Sequence, residues 1–337
     1  MRPGFACLCA FVGFTVVASG LAAGAAEPAR VPSGRLRAGI IGLDTSHVIA
    51  FTEILNNPKA SGDLADVKVV AGYPGGSPDI PSSRDRVEGY TKQLRGMGIE
   101  ISDNIYELLA EVDVVLLESV DGRPHLEQVR PVFAAGKRVF IDKPLAGSLA
   151  DAVEIVRLSK EYNVPFFSSS STRFSPDFQA IRQGKSRFGK VKSCVATSPM
   201  SIEPHHPDLF WYGVHGVEIL YTIMGPGCQT VTRAEKNKVV GTWKDGRVGT
   251  FLGTETYGAT VEGSEASGEA GKYVGYEPLV AEIAKFFKTG KPPVDPEETL
   301  ELFAFMEAAD ESQRQGGTPV LIEDVLKKAR QAAAERK

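Results

Sequence analysis

The chain has 337 residues, 42% hydrophobic and 24% charged, so it can bury a large core and does not read as disordered. Its formal net charge of −4 comes from mixed charges with no basic stripe, which argues against a nucleic-acid partner. At that length two domains are expected.

The first residues read as a targeting segment. Arg2 is the only charge before an uncharged run over 3–26, rich in Phe, Val, Leu and Ala. The run closes on Ala22-Ala23-Gly24-Ala25-Ala26 before Glu27-Pro28, as a signal-peptidase site does. The expectation is a signal peptide over 1–26 and an exported mature protein, periplasmic or extracellular, with no stable membrane span after cleavage. No Arg-Arg pair is present, which points to general secretion. An uncleaved anchor is the alternative, because the run is long enough to span a bilayer. After it only Cys194 and Cys228 remain, either paired or as two buried thiols.

From Arg35 onward short apolar runs alternate with amphipathic stretches. Strands are expected over 36–41, 67–71, 114–117, 138–141 and 164–167. Helices are expected over 45–57, from about 83 to 96, and over 124–135. Hydrophobicity in these strands is continuous rather than alternating, as in strands covered on both faces of a parallel sheet. Strand–helix alternation then predicts a Rossmann-type, doubly wound α/β domain over 35–170. Its last helix is signalled by Ser148 as cap, Asp151 three residues on, and the stripe Leu149, Ala152, Val153 and Val156.

Past Ser170 the texture changes to longer strands, over 190–198 and several between 230 and 261, with isolated helices. This predicts an α+β domain with a mixed or antiparallel sheet over 171–337. Residues 262–275 are rich in Gly and Ser and read as a mobile connection. Asp295-Pro296-Glu297-Glu298 opens a further helix with a cap, a first-turn proline and acids at the positive end of the dipole.

Several segments together resemble the Gfo/Idh/MocA oxidoreductases, which include glucose–fructose oxidoreductase and inositol dehydrogenase. They are Gly39-Ile40-Ile41-Gly42, the stretch from Ala134-Ala135-Gly136-Lys137 to Asp142-Lys143-Pro144, Thr172-Arg173-Phe174, Gly213-Val214-His215, and Thr289-Gly290-Lys291-Pro292 followed by Pro296-Glu297-Glu298. The resemblance covers most of residues 35–325. It implies hydride transfer between NAD or NADP and a sugar or polyol carbon. Lys143 would hold the substrate hydroxyl and the nicotinamide ribose, and His215 would act as acid/base. The position of Lys143 fits, since the carboxyl end of a parallel strand points into the ligand crevice. The cofactor would lie against Gly42, Leu43, Asp44, Ser46, His47, Ser119 and Asp142. Arg173, His205, His206 and Trp211 would meet a small-molecule carbohydrate. A homo-oligomer is compatible with that reading.

Three departures concern the cofactor and the base. The fingerprint reads Gly42-Leu43-Asp44-Thr45-Ser46-His47, with Asp44 where the second glycine lets backbone approach the pyrophosphate. A carboxylate there would repel the nucleotide, unless Asp44 or Ser46 serves to cap the helix. No acid ends the second strand, which runs into Tyr73-Pro74-Gly75, although Arg84 and Arg86 nearby could meet a 2′-phosphate. Trp211 stands four residues before His215, where the family often has Asp; on a continuous helix Asp208, Trp211, His215 and Glu218 share one face. Two other readings compete. One is a non-redox lyase or hydrolase using Lys143 and His215, with a metal on His205, His206 and Asp208 as its weaker form. The other is a sugar-binding protein without chemistry.

Overall fold

The computed structural model describes residues 34–335, besides Met1 and Gly4, so the expected signal peptide lies outside the described residues apart from those two. The first sheet is built by β1 (Leu36–Ile41), α1 (His47–Leu55), β2 (Val67–Tyr73), α2 (Pro81–Gly96), β3 (Glu100–Ile101), α3 (Ile105–Glu111), β4 (Val114–Leu117), α4 (His125–Ala134), β5 (Val139–Ile141), α5 (Leu149–Tyr162) and β6 (Phe166–Ser168). Its order is β3-β2-β1-β4-β5-β6, and every pair is parallel. Every residue of β4, β5 and β6 is buried, which is why these strands read as unbroken apolar runs. Strand order reverses between β1 and β4, and a ligand crevice opens beyond the carboxyl ends of strands at such a point.

The second sheet follows. Its elements are α6 (Pro176–Arg182), β7 (Val191–Ser198), α7 (Asp208–Trp211), α8 (Val214–Met224), β8 (Cys228–Glu235), β9 (Lys238–Trp243), β10 (Val248–Gly253), β11 (Gly258–Gly263), β12 (Ser267–Glu269), α9 (Glu277–Thr289), α10 (Pro296–Arg314), β13 (Val320–Leu321) and α11 (Ile322–Glu335). The order is β12-β11-β7-β10-β9-β8-β13, antiparallel except for the β7–β10 pair. The mixed sheet is as expected. Helix α8 is buried along its whole length against β7 and β10.

Two expectations need correction. Residues 262–275 are not only a connection: Thr260, Val261 and Glu262 of β11 pair with Glu269, Gly268 and Ser267, so β12 adds an edge strand. The chain past Ser170 also does not stay with the second sheet. Helix α9 returns to the first, burying Leu279, Val280, Ile283, Phe286 and Phe287, with the Phe286 ring 5.2 Å from that of Phe167. Arg138 Nη1 donates to the Phe287 carbonyl at 2.6 Å, and Lys288 Nζ lies 2.6 Å from Asp63 and from Asp66.

The caps follow the sequence. Ser148 Oγ accepts from Asp151 N at 3.1 Å and Asp295 Oδ1 from Glu297 N at 2.9 Å. Cys194 and Cys228 are buried free thiols; burial pushes Cys194 up to about 12 and Cys228 higher still, so neither is a ready nucleophile. Among the described residues no helix is long and apolar enough to cross a membrane.

Candidate active site

The turn after β1 fixes the site. Gly42 has φ +86°, and a Cβ there would lie 2.3 Å from Ser119 Oγ, so the chain needs glycine to bring β1 against the loop after β4. Helix α1 then starts at His47, and Thr45, Ser46 and His47 line a cavity of ≈ 380 Å³. Lys143, the second residue past β5, and His215, in the first turn of α8, line the same cavity. Parallel-strand geometry delivers the lysine and a helix from the other sheet delivers the histidine.

Aromatic rings wall the space. Successive centroids from His215 to Tyr257, Tyr273, Tyr276 and His47 are 5.7, 5.5, 6.4 and 4.8 Å apart. Tyr212 adds a face 5.5 Å from His215, with Lys143 Nζ 5.7 Å from its centroid. Burial pushes the Tyr257 and Tyr276 hydroxyls up to about 12, so both remain donors at neutral pH.

A relay of hydroxyls orients His215. The Thr172 hydroxyl donates to the His215 carbonyl at 3.2 Å, so its oxygen is free to accept from Ser170, 2.9 Å away. Ser170 Oγ lies 2.7 Å from His215 Nδ1 and fixes the ring; in the tautomer where Ser170 accepts, Nε2 is left unprotonated for the cavity. Burial, with the Lys143 and His47 charges adding to it, holds the imidazole well below its usual range. The ring is therefore neutral at physiological pH and able to take a proton.

Beneath His215 and Lys143 lie His47, Glu118 and Asp142, all buried. His47 Nδ1 is 2.8 Å from Asp142 Oδ2 and 3.7 Å from Glu118 Oε2. Burial works against charging His47, but the neighbouring Asp142 and Glu118 outweigh it and raise its pKa. Burial and the Asp142 charge raise the Glu118 carboxyl. In Asp142 burial is outweighed by His47 and Lys143, and its pKa falls.

Other residues singled out in the sequence sit elsewhere. Leu43 is core, and a Cβ added at Gly72 would meet its methyls at 3.3 Å. Ser119 is buried and donates to Gln128 Oε1 at 2.9 Å. Arg173 lies in an ion-pair cluster under a second cavity, bonded to Glu218 and to Glu298, the latter at 2.9 Å. The helix proposed to carry both Asp208 and His215 is broken: α7 ends at Trp211 and α8 starts at Val214, since the Tyr212-Gly213 joint leaves the helical path. Asp208 pairs instead with Arg233 at 3.1 Å. His205 is exposed beside Glu203, while His206 is buried with Nε2 3.1 Å from Asp121, so His205, His206 and Asp208 do not form a metal site. Trp211 lines the cavity with its ring 5.0 Å from that of His206. Of the five histidines, only His47 and His215 line the cavity; His125 bridges the Ser119 and Leu145 carbonyls at 2.8 and 3.2 Å.

Asp44 requires the largest correction. It does not present its charge to the crevice: it is fully buried, accepting from Val120 N at 2.9 Å and from Ser83 Oγ at 2.6 Å. Nor does it or Ser46 cap α1. Asp44→Ala should therefore cost about 2–4 kcal/mol in urea unfolding, by leaving one N–H and one O–H without an acceptor. Asp44→Gly should not tighten nucleotide binding. A variant as stable as wild type would show that these bonds carry no weight.

Residues 83–170 match the family model Gfo/Idh/MocA, described as an oxidoreductase family with an NAD-binding Rossmann fold. The matched stretch runs from within α2 to β6 of the first sheet. An uncharacterized oxidoreductase of Streptococcus pneumoniae is 27% identical over 172 residues, which are 45% of this chain and 45% of that one, so the match spans about half the length of that relative. An oxidoreductase from Thermotoga maritima superposes with TM-score 0.69 at 16% identity, covering 86% of this chain and 99% of its own. A scyllo-inositol dehydrogenase from Lactobacillus casei, solved with NAD(H) and scyllo-inositol, gives 0.66 at 14% identity over 86% and 99%. At these identities the likeness is one of fold.

Against the dinucleotide site of a Rossmann-type sheet the residues fit at one end. The amino end of α1, where free N–H groups and the dipole favour an anion, opens on the cavity with Lys143 and His215, which suits the nicotinamide half of a dinucleotide. At the adenosine end the segment after β2 forms a strap. Leu43 N donates to the Pro74 carbonyl at 2.7 Å, Ser77 Oγ to Asp121 Oδ2 at 2.6 Å, and Arg123 reaches Asp79 at 2.8 Å. The strap thus runs from β2 across the end of β1 to the loop after β4. Arg84 and Arg86, the candidates for a 2′-phosphate, belong to the first turns of α2; Arg84 pairs with Asp85 and Arg86 lines the cavity.

Glu118 and the tyrosine wall escaped the sequence reading. Glu118 did leave a signal, as a charge closing the apolar run Val114-Val115-Leu116-Leu117. Tyr257, Tyr273 and Tyr276 left none, because they come from β11's approach, the segment after β12 and the start of α9.

Proposed function

We propose that this protein is an NAD(P)-dependent oxidoreductase acting on a hydroxyl of a sugar, polyol or related carbohydrate. The observation that carries this reading is the meeting of Lys143, His215 and the amino end of α1 in one cavity walled by aromatic rings. Such rings stack on the C–H faces of a sugar, while the tyrosine hydroxyls bond to its oxygens. His215 Nε2 takes the proton of the reacting hydroxyl. The Lys143 ammonium holds the developing negative oxygen, an interaction stronger in the transition state than in the ground state. The nicotinamide, when bound, supplies the hydride acceptor.

Calorimetric titration with NAD+ and NADP+, followed by turnover assays over a panel of polyols and aldoses, tests the reading. Binding of one dinucleotide with reduction on at least one polyol is expected; no binding of either would end it. The strap over β1 favours one second reading, a non-redox carbohydrate lyase using the same pair, and that reading would then lead.

The depressed His215 pKa gives a pH signature. The base is active when neutral, and a lowered pKa moves its loss to lower pH. With substrate oxidation as readout, kcat/KM should stay level as pH falls through about 6.5, where an ordinary histidine charges, and bend only below it. An acid limb centred at or above 6.5 would remove His215 from the role.

Export belongs to the same proposal. It is supported by the uncharged run over 3–26 and its small-residue end. Mass spectrometry of protein from its own cells should find a mature start near Glu27; intact Met1 would point to a retained anchor.

A further inference from the structure

His47, Glu118 and Asp142 come from the carboxyl ends of three adjacent parallel strands: the start of the helix after β1, the residue after β4 and the residue after β5. One ligating atom from each lies within 4.8 Å of the other two, and among the described residues this is the one such trio of His, Cys, Asp or Glu. Relative exposures are 8%, 0% and 1%. Both Glu118 oxygens and Asp142 Oδ1 are buried without a hydrogen-bond donor, and the short contact from His47 Nδ1 lacks hydrogen-bond alignment.

Buried acceptors rarely stay unpaired, and a buried carboxylate with neither oxygen satisfied is costlier than a neutral group in the same place. A cation removes all these deficits together. One imidazole nitrogen with two carboxylates is a ligand set for a borderline divalent ion, and bond lengths of about 2.0–2.2 Å to such an ion set neighbouring ligand atoms about 3–3.5 Å apart. The observed 2.8 and 3.7 Å bracket that spacing. Three protein ligands leave a fourth position open, the pattern of a catalytic rather than a structural site. His47 itself lines the cavity, as does Lys143 beside Asp142.

We propose that His47, Glu118 and Asp142 bind one divalent cation, Zn²⁺ or Mn²⁺, in the floor of the cavity, with its open position toward a substrate oxygen. The site stands independently of the reaction proposed above, because its test needs neither dinucleotide nor carbohydrate.

The test uses the full mature protein, stripped with EDTA and desalted. ZnSO₄ and MnCl₂ are titrated separately by calorimetry, and bound metal is counted by mass spectrometry after gel filtration. One equivalent is expected, with a dissociation constant of about 1 µM or tighter for the preferred ion. Glu118→Gln and Asp142→Asn keep shape while removing charge, and each should weaken binding roughly 100-fold or more. His205→Ala, at the exposed cluster with Glu203 and Asp79, should leave it unchanged. The proposal is overturned if wild type binds no stoichiometric metal, if binding survives Glu118→Gln or Asp142→Asn at full strength, or if it falls in His205→Ala. In that event the trio is a His47–Asp142 ion pair with Glu118 beside it. Should Glu118→Gln not fold by circular dichroism, wild-type stoichiometry with Asp142→Asn still decides.

Discussion

Lys143→Met and His215→Asn should each lower turnover on an identified polyol by about 100-fold or more while leaving the melting temperature nearly unchanged. The reason is position. Both side chains reach the cavity from elements whose packing is made by other residues: β5 is held by Val139, Phe140 and Ile141, and α8 by Val217, Ile219 and Leu220. Removing Lys143 takes away the charge facing the developing oxyanion, and a neutral isostere cannot replace it. Replacing His215 with Asn keeps a polar group near Ser170 but no group that takes a proton at neutral pH. The effects should not add in the double variant, because the two groups act on one oxygen. Steady-state kinetics with NAD(P)+ measures all three. Full activity in both single variants would place the chemistry elsewhere in the cavity.

Arg173→Met should destabilise the fold by about 3–5 kcal/mol, the usual cost of taking one partner from a buried ion-pair cluster. Arg173 is 4% exposed, and it neutralises Glu218 and Glu298, which are 4% and 7% exposed. Without it Glu218 keeps only the Ser169 hydroxyl, 2.9 Å away, and Glu298 keeps Arg182 at 2.6 Å. Adding Glu218→Gln should recover part of the loss, which a double-mutant cycle in urea reads directly. The melting temperature should fall by on the order of 10 °C. The sequence suggested instead that Arg173 meets substrate. A substrate arm would raise KM and leave the melting temperature in place, so the two roles give opposite results in one pair of measurements.

Sequence determined this protein's first sheet almost completely, because burial on both faces writes itself as unbroken apolar runs and caps act over three residues. Ser148 with Asp151 and Asp295 with Glu297 were legible for that reason. Elements of two residues such as β3 carry too little pattern to read, and β12 is short, Gly-containing and fixed only by pairing with β11. The type of site was also legible, since strand ends and Asp142-Lys143-Pro144 mark it locally.

Tertiary structure decided which residues compose it. Asp44 is a carboxylate in a phosphate turn by sequence. Only the arrival of Ser83 and Val120, both distant in the chain, turns it into a buried acceptor. Arg173 and His215 are equally plausible ligand groups in one dimension, yet Glu218 and Glu298 draw the first into an ion-pair cluster while the Ser170–Thr172 relay holds the second at the cavity. Glu118 became visible as a ligand candidate only beside His47 and Asp142, because adjacent parallel strands bring together residues that whole helices and strands separate in sequence. Local signals fix elements through interactions within a turn. The charge state and partner of a side chain depend on whatever the fold packs against it, and no window of sequence contains that.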